Sequence, residues 1–297
     1  MKKKLISIIV NCYNGEKYLS QTLQSISDQK YKNFEVIFVD NCSTDSSAKI
    51  YKKIKDKRFK YFKTKKKIKL YDSRNFALNK CKGSFVAFLD TDDWWDRNFL
   101  SSREKFFSST GNYGFAFSNC NHFYENRNKF EIFYKKKLPS GSILNHLLKS
   151  YFVKLSTIIV KRKIINNFKF NSNYNIIGDY DLVIRMAKKY KAMSFQDNLV
   201  TIRIHADNFS HHNKKMFYDE YKHWVDNQNF YDFYFKKNKK NIILKLEYLK
   251  ILYLLLYQKS FNLIHDIIKY PILPLKIKLL IIYFSPKFLI RLKIKFF

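Results

Sequence analysis

Three carboxylates, Asp90, Asp92 and Asp93, stand directly behind the apolar run Phe85-Val86-Ala87-Phe88-Leu89. Like charges this close repel unless a cation or hydrogen-bond donors sit among them. Hard oxygen ligands suit Mg²⁺ or Mn²⁺, which a small carboxylate cluster can share with phosphate oxygens. An acidic turn capping the next helix gives the same pattern, because Asp is common at N-caps. The triplet alone does not choose between the two. A second acidic pair, Asp179 and Asp181, follows Gly178 at the head of a helical pattern. There a carboxylate is stabilised by the helix dipole, or stands ready to take a proton from a hydroxyl. Gly178 would leave room for a substrate to come close. Arg74 shares a face with Ala77, Leu78 and Cys81, and reads as an anion ligand or as a surface residue. His205 sits in a polar loop after the strand-like Leu199-Val200-Thr201. Trp94 and Trp95 could stack on a ligand or fill the core.

These groups need a frame. The run Phe85 to Leu89 is short, aromatic and β-branched, and follows Gly83, so it reads as a buried strand. Leu5 to Val10 and Glu35 to Val39 are two more, ending at Asn11-Cys12-Tyr13-Asn14-Gly15 and Asp40-Asn41-Cys42-Ser43-Thr44-Asp45. Between them Leu19, Thr22, Leu23 and Ile26 recur at helical spacing, and Ser47, Ile50, Tyr51 and Ile54 form a weaker stripe. Strands alternating with helices imply right-handed βαβ units and a parallel sheet. Ligands of such sheets bind outside the carboxyl ends of the strands, where all three loops gather. The spacing further predicts a helix over 99–107, strands over 115–117 and 156–160, and a helix whose buried stripe is Leu182, Val183, Met186, Ala187 and Tyr190. The basic run Lys63 to Lys69 reads as a solvated loop.

The 297 residues allow one large α/β domain plus an extension. A net charge of +33 suggests an anionic partner: nucleic acid, membrane or phosphorylated substrate. The richness in Lys, Asn, Ile, Phe and Tyr also matches an AT-rich coding bias, so charge alone does not select among them. The basic residues are spread along the chain with no nucleic-acid module, which argues against nucleic acid. Four scattered cysteines show no zinc or redox spacing and read as small core residues in a reducing compartment. The apolar run after Met1-Lys2-Lys3-Lys4 is too short for a secretory signal, and no stretch approaches the ~18 uncharged apolar residues of a spanning helix. The composition shifts near Lys236, dividing the chain into a catalytic domain, 1–235, and a basic, apolar, mainly helical extension, 236–297.

Taken in order, Ser7-Ile8-Ile9-Val10-Asn11-Cys12-Tyr13-Asn14, Val39 to Asp45, Arg74-Asn75, Asp90-Thr91-Asp92-Asp93 and Gly178-Asp179-Tyr180-Asp181-Leu182 with Arg185 resemble the family 2 glycosyltransferases, over roughly residues 5–210. The resemblance implies a GT-A type, Rossmann-like α/β fold with a mainly parallel sheet flanked by helices. It also implies inverting transfer of a sugar from a nucleotide diphosphate to a glycan or glycolipid hydroxyl in bacterial surface-polysaccharide synthesis. On it, Asn11, Tyr13, Asp40, Asn41 and Arg74 bind the nucleotide. Asp90 takes the ribose, Asp92 and Asp93 hold Mn²⁺ or Mg²⁺, His205 lies near the metal or diphosphate, and Asp179 is the general base. The family often has a second Asp at position 41 and a Gly at 42; Asn41 and Cys42 depart from that. A UDP-sugar remains the expected donor, since an amide oxygen still accepts from uracil N3–H. A cytoplasmic protein, peripheral on the inner face of an anionic membrane, is the expected setting. Two other readings stand: an inactive transferase fold that binds membrane or a partner, and a sugar nucleotidyltransferase. The latter needs a Gly-rich phosphate loop after the first strand, where residues 11–19 hold one Gly.

Overall fold

The computed structural model describes residues 4–257 and 263–285. Lys287, Arg291, Lys293 and Lys295, counted above in the basic extension, lie outside the described residues. The chain divides into two compact units, Met1–Ile204 and His205–Phe297. Residue 236, where the composition shifts, falls inside a long helix of the second unit.

The first unit runs β1 (Ile6–Cys12), α1 (Glu16–Ser27), β2 (Phe34–Asp40), α2 (Ser47–Lys52), β3 (Phe59–Lys63), α3 (Leu70–Leu78), β4 (Phe85–Phe88), β5 (Trp94–Trp95), α4 (Glu104–Phe107), β6 (Tyr113–Ser118), β7 (Asn121–Tyr124), β8 (Lys129–Ile132), α5 (Leu144–Lys149), β9 (Ile159–Lys161), α6 (Arg162–Phe168), α7 (Gly178–Lys189), β10 (Lys191–Phe195) and β11 (Val200–Ile204). Seven strands form one sheet in the order β10-β6-β9-β4-β1-β2-β3. All neighbours are parallel except β9, which runs against β4 and β6. A second sheet, β5-β11-β7-β8, carries the remaining strands.

The central strands are buried on both faces: all seven residues of β2, and six of the seven in β1, are sealed from solvent. That explains their near-continuous apolar runs. Gly83, just before β4, is dictated by close backbone approach: a Cβ there would stand 2.6 Å from the Ser7 nitrogen. The predicted helix over 99–107 is instead a single 3₁₀ turn, Ser101–Arg103, leading into the short α4. Within it the Arg103 guanidinium is fully buried and pairs in bidentate fashion with Asp197 at 2.5 and 2.9 Å.

The second unit is helical: α8 (Phe209–His212), α9 (Lys214–Asp226), α10 (Phe233–Tyr257), α11 (Leu263–Lys269) and α12 (Leu273–Phe284). Ile251, Leu252, Leu255, Leu263, Ile267, Leu279 and Ile282 make its small core. No helix among the described residues is long and apolar enough to cross a membrane.

Candidate active site

The acidic turn leaves β4 beside the ends of β1 and β2, and hydrogen bonds hold it on every side. The Ser156 hydroxyl donates to Asp93 Oδ2 at 2.6 Å and accepts the Asp90 N–H at 3.3 Å. Asp93 Oδ1 accepts the Arg203 N–H at 3.1 Å. The Arg203 Nε donates to the Asp92 carbonyl at 3.1 Å, and the Thr22 hydroxyl lies 2.9 and 2.8 Å from the Thr91 and Asp93 carbonyls. Asp93 is therefore buried, with both carboxylate oxygens occupied. Burial, then the charges of Asp92 and Asp90, push its pKa well up, while the bonds from Ser156 and Arg203 pull it down. Each oxygen keeps a second lone-pair site, but the burial of the side chain restricts a cation's approach to it. Asp90 and Asp92 are half-exposed and form the outward side of the turn.

Arg74 is not a surface residue. It is 5% exposed, and its Nη2 meets Asp90 Oδ1 at 2.6 Å. Its guanidinium lies 5.3 and 5.7 Å from the ring centres of Tyr71 and Phe170, which stack on each other. Loss of water around Asp90 pushes its pKa up; Arg74 opposes that, and Asp92 and Asp179 add to it. Asp179 thus belongs to the same electrostatic neighbourhood as Asp90 and Arg74. At the head of α7, its Oδ1 accepts the Tyr180 N–H at 2.8 Å. The Tyr71 hydroxyl accepts the Asp179 N–H at 3.2 Å and donates to the Ile176 carbonyl at 2.9 Å. Gly178 does not hold space open for a substrate. A Cβ there would stand 2.5 Å from the Tyr71 ring, so the glycine lets Tyr71 pack beneath Asp179. Asp181 points elsewhere: Arg185 binds it at 2.8 Å and reaches the Phe168 and Lys169 carbonyls. It anchors the end of α6.

The loops after β1 and β2 are stitched together. Asn14 Oδ1 accepts the Thr44 N–H, the Ser43 hydroxyl accepts the Asn14 N–H, and Asp45 and Glu16 accept each other's neighbouring N–H groups. Asp40 is fully buried; its oxygens accept the Ser43 N–H at 2.7 Å and the Tyr61 hydroxyl at 2.6 Å. Asn41 pairs with Ile68 as a strand would, and accepts the Thr64 hydroxyl. Both side chains are thus already engaged within the protein. Asn11 Nδ2 donates to the Ser73 hydroxyl at 2.7 Å, while its buried Oδ1 has no partner among the described residues. Tyr13 is 44% exposed, with the Lys67 ammonium 3.7 Å from its ring centre. Cys42 adopts φ 60, a left-handed conformation that glycine takes without strain.

Residues 7–187 match the profile of the family described as Glycosyl transferase family 2. The chain belongs to this family. It is 33% identical over 210 residues to UDP-Glc:alpha-D-GlcNAc-diphosphoundecaprenol beta-1,3-glucosyltransferase WfaP of Escherichia coli, covering 70% of this chain and 80% of that one. Among solved structures it is similar to residues 1–349 of S. aureus TarS in complex with UDP-GlcNAc, with TM-score 0.61 and 20% identity over 93% of this chain and 79% of that one. It is also similar to the mannosyltransferase PcManGT from Pyrobaculum calidifontis in complex with GDP-Man and Mn2+, with TM-score 0.62 and 13% identity over 99% and 86%. These two likenesses show the GT-A fold. The chain is thus a glycosyltransferase enzyme.

In this family 2 transferase no group of three His, Cys, Asp or Glu side chains among the described residues could hold a metal ion. Asp92, with Asp90 beside it, is what the described residues would offer a divalent cation, and its other ligands would be water and substrate oxygens. That suits Mg²⁺ or Mn²⁺, which keep several waters and take one or two carboxylates plus substrate phosphates. His205 opens the second unit; its Nδ1 accepts the Asp207 N–H at 3.2 Å, which puts the proton of the neutral ring on Nε2. Trp95 is core, stacked on Phe99 at 4.3 Å with its indole N–H on the Ser156 carbonyl. Trp94 meets Phe123 edge-on and the Arg203 guanidinium at 4.8 Å. A cleft of about 1120 Å³ beside α1, lined by Gln21, Trp94, Asn121 and Asn198 among others, holds none of these carboxylates. Sequence reading did not single out four residues that contact the expected site residues: Tyr71, Ser156, Lys67 and Arg203. The last was visible as a cation inside a strand otherwise apolar or hydroxylic, Val200-Thr201-Ile202-Arg203-Ile204. Lys67 was hidden in a basic run that otherwise reads as solvated loop.

Proposed function

We propose that this transferase moves a sugar from a UDP-sugar, with inversion and with Mn²⁺ or Mg²⁺, to a hydroxyl of a lipid-linked glycan during bacterial surface-polysaccharide assembly. The observation that carries the reading is one sheet edge on which Arg74, Asp90 and Asp179 share a neighbourhood and Asp92 adjoins them. The names of the relative WfaP and of the TarS complex support a UDP-linked donor, and that of WfaP supports a diphosphoundecaprenol-linked acceptor. Uracil would stack on Tyr13 and could give its N3–H to the Asn11 Oδ1, which has no donor of its own among the described residues. Asp40 and Asn41 shape the loop beneath. Asp90 would bind ribose, with Arg74 fixing its rotamer and charge.

The acceptor O–H would give its proton to Asp179 Oδ2, which takes no hydrogen bond among the described residues. As the acceptor oxygen bonds to the anomeric carbon, the C1–O bond to the diphosphate breaks and UDP leaves. A single displacement of this kind inverts the anomeric centre. A divalent ion at Asp92 would offset the charge developing on the diphosphate as a Lewis acid. The glycolipid acceptor would set the protein at the inner face of the cytoplasmic membrane. The test is transfer from UDP-Glc, UDP-GlcNAc and UDP-Gal to a synthetic GlcNAc-diphospholipid, with the product anomer read by NMR. Retention of the donor's anomeric configuration would refute inversion. Failure with every donor, while wild-type protein still binds UDP and Mn²⁺, would favour the inactive-fold reading.

A further inference from the structure

Helix α12 is apolar on two opposite sides. Leu279 and Ile282 are buried in the core of the second unit. Leu273, Ile277, Ile281 and Phe284 are exposed, at 62, 48, 44 and 73%. At about 100° per residue these four fall within an arc of roughly 80°, one solvent-facing stripe. Ile268 at the end of α11 and Ile272 between the helices are exposed as well. Contiguous exposed apolar surface of this kind marks an interaction face. Lys276 and Lys278 flank the stripe on either side, and Lys269 is exposed next to Ile268. Long lysine stems beside an apolar stripe can lie along it and keep their ammonium groups in the headgroup layer.

The surrounding charge points the same way. Asp266 is the one acidic residue between 263 and 285, against Lys269, Lys276 and Lys278. On α9, burial and the neighbouring Lys278 pull Lys214 down to about 8, so two ammonium groups crowd each other beside the stripe. Anionic headgroups would relieve that crowding. The length of α12, 12 residues, reaches about 18 Å, short of the ~30 Å hydrocarbon layer. It can lie in the interface but not span it.

We infer that the exposed face of α11 and α12 is a lipid-contact surface that docks the transferase on an anionic bilayer. This deepens the lipid-linked acceptor reading and, among the described residues of the 236–297 extension, puts the contact at 268–284. Helix α10 buries Ile242, Leu249, Ile251, Leu252 and Leu255 and is not part of it. The apolar insertion and the lysine fringe act together, as interfacial helices do.

The test is flotation of the full chain with vesicles of neutral phosphatidylcholine, or of phosphatidylcholine with phosphatidylglycerol. Wild type should float with anionic vesicles, less as salt rises, and weakly with neutral ones. Ile277→Asp with Ile281→Asp should weaken the partition by about 100-fold, roughly tenfold per side chain withdrawn from lipid. Lys276→Gln with Lys269→Gln should remove most of the preference for anionic lipid. Circular dichroism and the UDP-induced shift in Tm should match wild type, since these side chains are exposed. The inference is overturned if wild type stays unbound, if the Asp variant floats like wild type, or if sedimentation shows a dimer that the variant splits. Flotation needs neither donor nor acceptor, so its outcome is independent of whether sugar transfer is found.

Discussion

Asp93 decides how the acidic turn works. Its two carboxylate oxygens hold Ser156 and the backbone of Arg203, so its removal should be felt as stability before it is felt as metal affinity. Asp93→Ala strips the acceptor from the Arg203 N–H and from the Ser156 hydroxyl, both buried. Each orphaned group costs about 1–3 kcal/mol, together about 2–6 kcal/mol. For a unit of this size 1 kcal/mol moves Tm by about 2–4 °C, so a fall of about 4–24 °C is expected. Asp93→Asn is a gentler change. Its amide oxygen can take the Arg203 N–H, its amide nitrogen can face the Ser156 oxygen, and the buried charge is gone. The folded-state pKa of Asp93 is raised, so its contribution is fully present below the unfolded value of 3.8. It is lost as pH rises through the folded value. The Tm of the Asn variant should therefore gain on wild type as pH increases across that window. Asp92→Asn should do the opposite: Tm nearly unchanged, Mn²⁺-dependent UDP binding lost. Scanning calorimetry from pH 4 to 9 and titration of UDP with Mn²⁺ read both effects. If Asp93→Asn left Tm and its pH slope untouched but abolished Mn²⁺-dependent binding as fully as Asp92→Asn, Asp93 would be a metal ligand. The turn would then open on binding.

The remaining expectations are briefer. Asp179→Asn should cut kcat by about 10²–10⁴-fold with UDP affinity unchanged in titration calorimetry; weaker UDP binding with normal turnover would move Asp179 to the donor site. Asp181→Asn should lower Tm by freeing Arg185, with turnover little affected, as paired melting and rate measurements would show. EDTA should abolish transfer and Mn²⁺ or Mg²⁺ restore it. Because the chain offers so few side-chain ligands, Mn²⁺ should bind far more tightly with UDP present than without, as paramagnetic relaxation of water would report. Titrations of UDP, GDP, CDP and dTDP with Mn²⁺ should rank UDP first; tighter GDP binding would refute the assignment of the base.

The sheet was legible because buried parallel strands carry little but apolar residues, and their ends must fall on one edge. Phe85 to Leu89 running into Asp90 is the plainest case, and the resemblance then named the fold. What the sequence hid was direction. Asp92 and Asp93 are neighbours of the same chemistry, yet one side chain faces outward and the other is tied to Ser156 and Arg203, 63 and 110 residues away. Asp40 and Asn41 read as nucleobase ligands, and the sequence did not show that they also bond Tyr61 of β3 and Thr64 and Ile68 in the loop after it. In each case the local signal did not carry a long-range polar bond. One-dimensional periodicity records burial well and hydrogen-bond partners hardly at all.

The same distinction separates the two kinds of acidic residue in this site. A carboxylate with a protein donor on each oxygen is fixed in place and keeps only its remaining lone-pair sites for a ligand. One held on a single side, as Asp179 is by Tyr180 and Tyr71 beneath it, keeps an oxygen for chemistry while its position stays fixed. Arg74 adds a third condition, since its pairing with Asp90 keeps one oxygen of that carboxylate occupied and charged next to Asp179. A nucleotide ribose arriving at Asp90 would then compete with Arg74 for Oδ1 or take the free side. The Arg74–Asp90 pair would set how donor binding is felt at the base. Arg74→Lys would keep the charge and lose the planar fork. If this coupling operates, donor affinity and the pH profile of kcat should change together in that variant. Independent behaviour of the two would mean that donor site and base merely share an edge of the sheet.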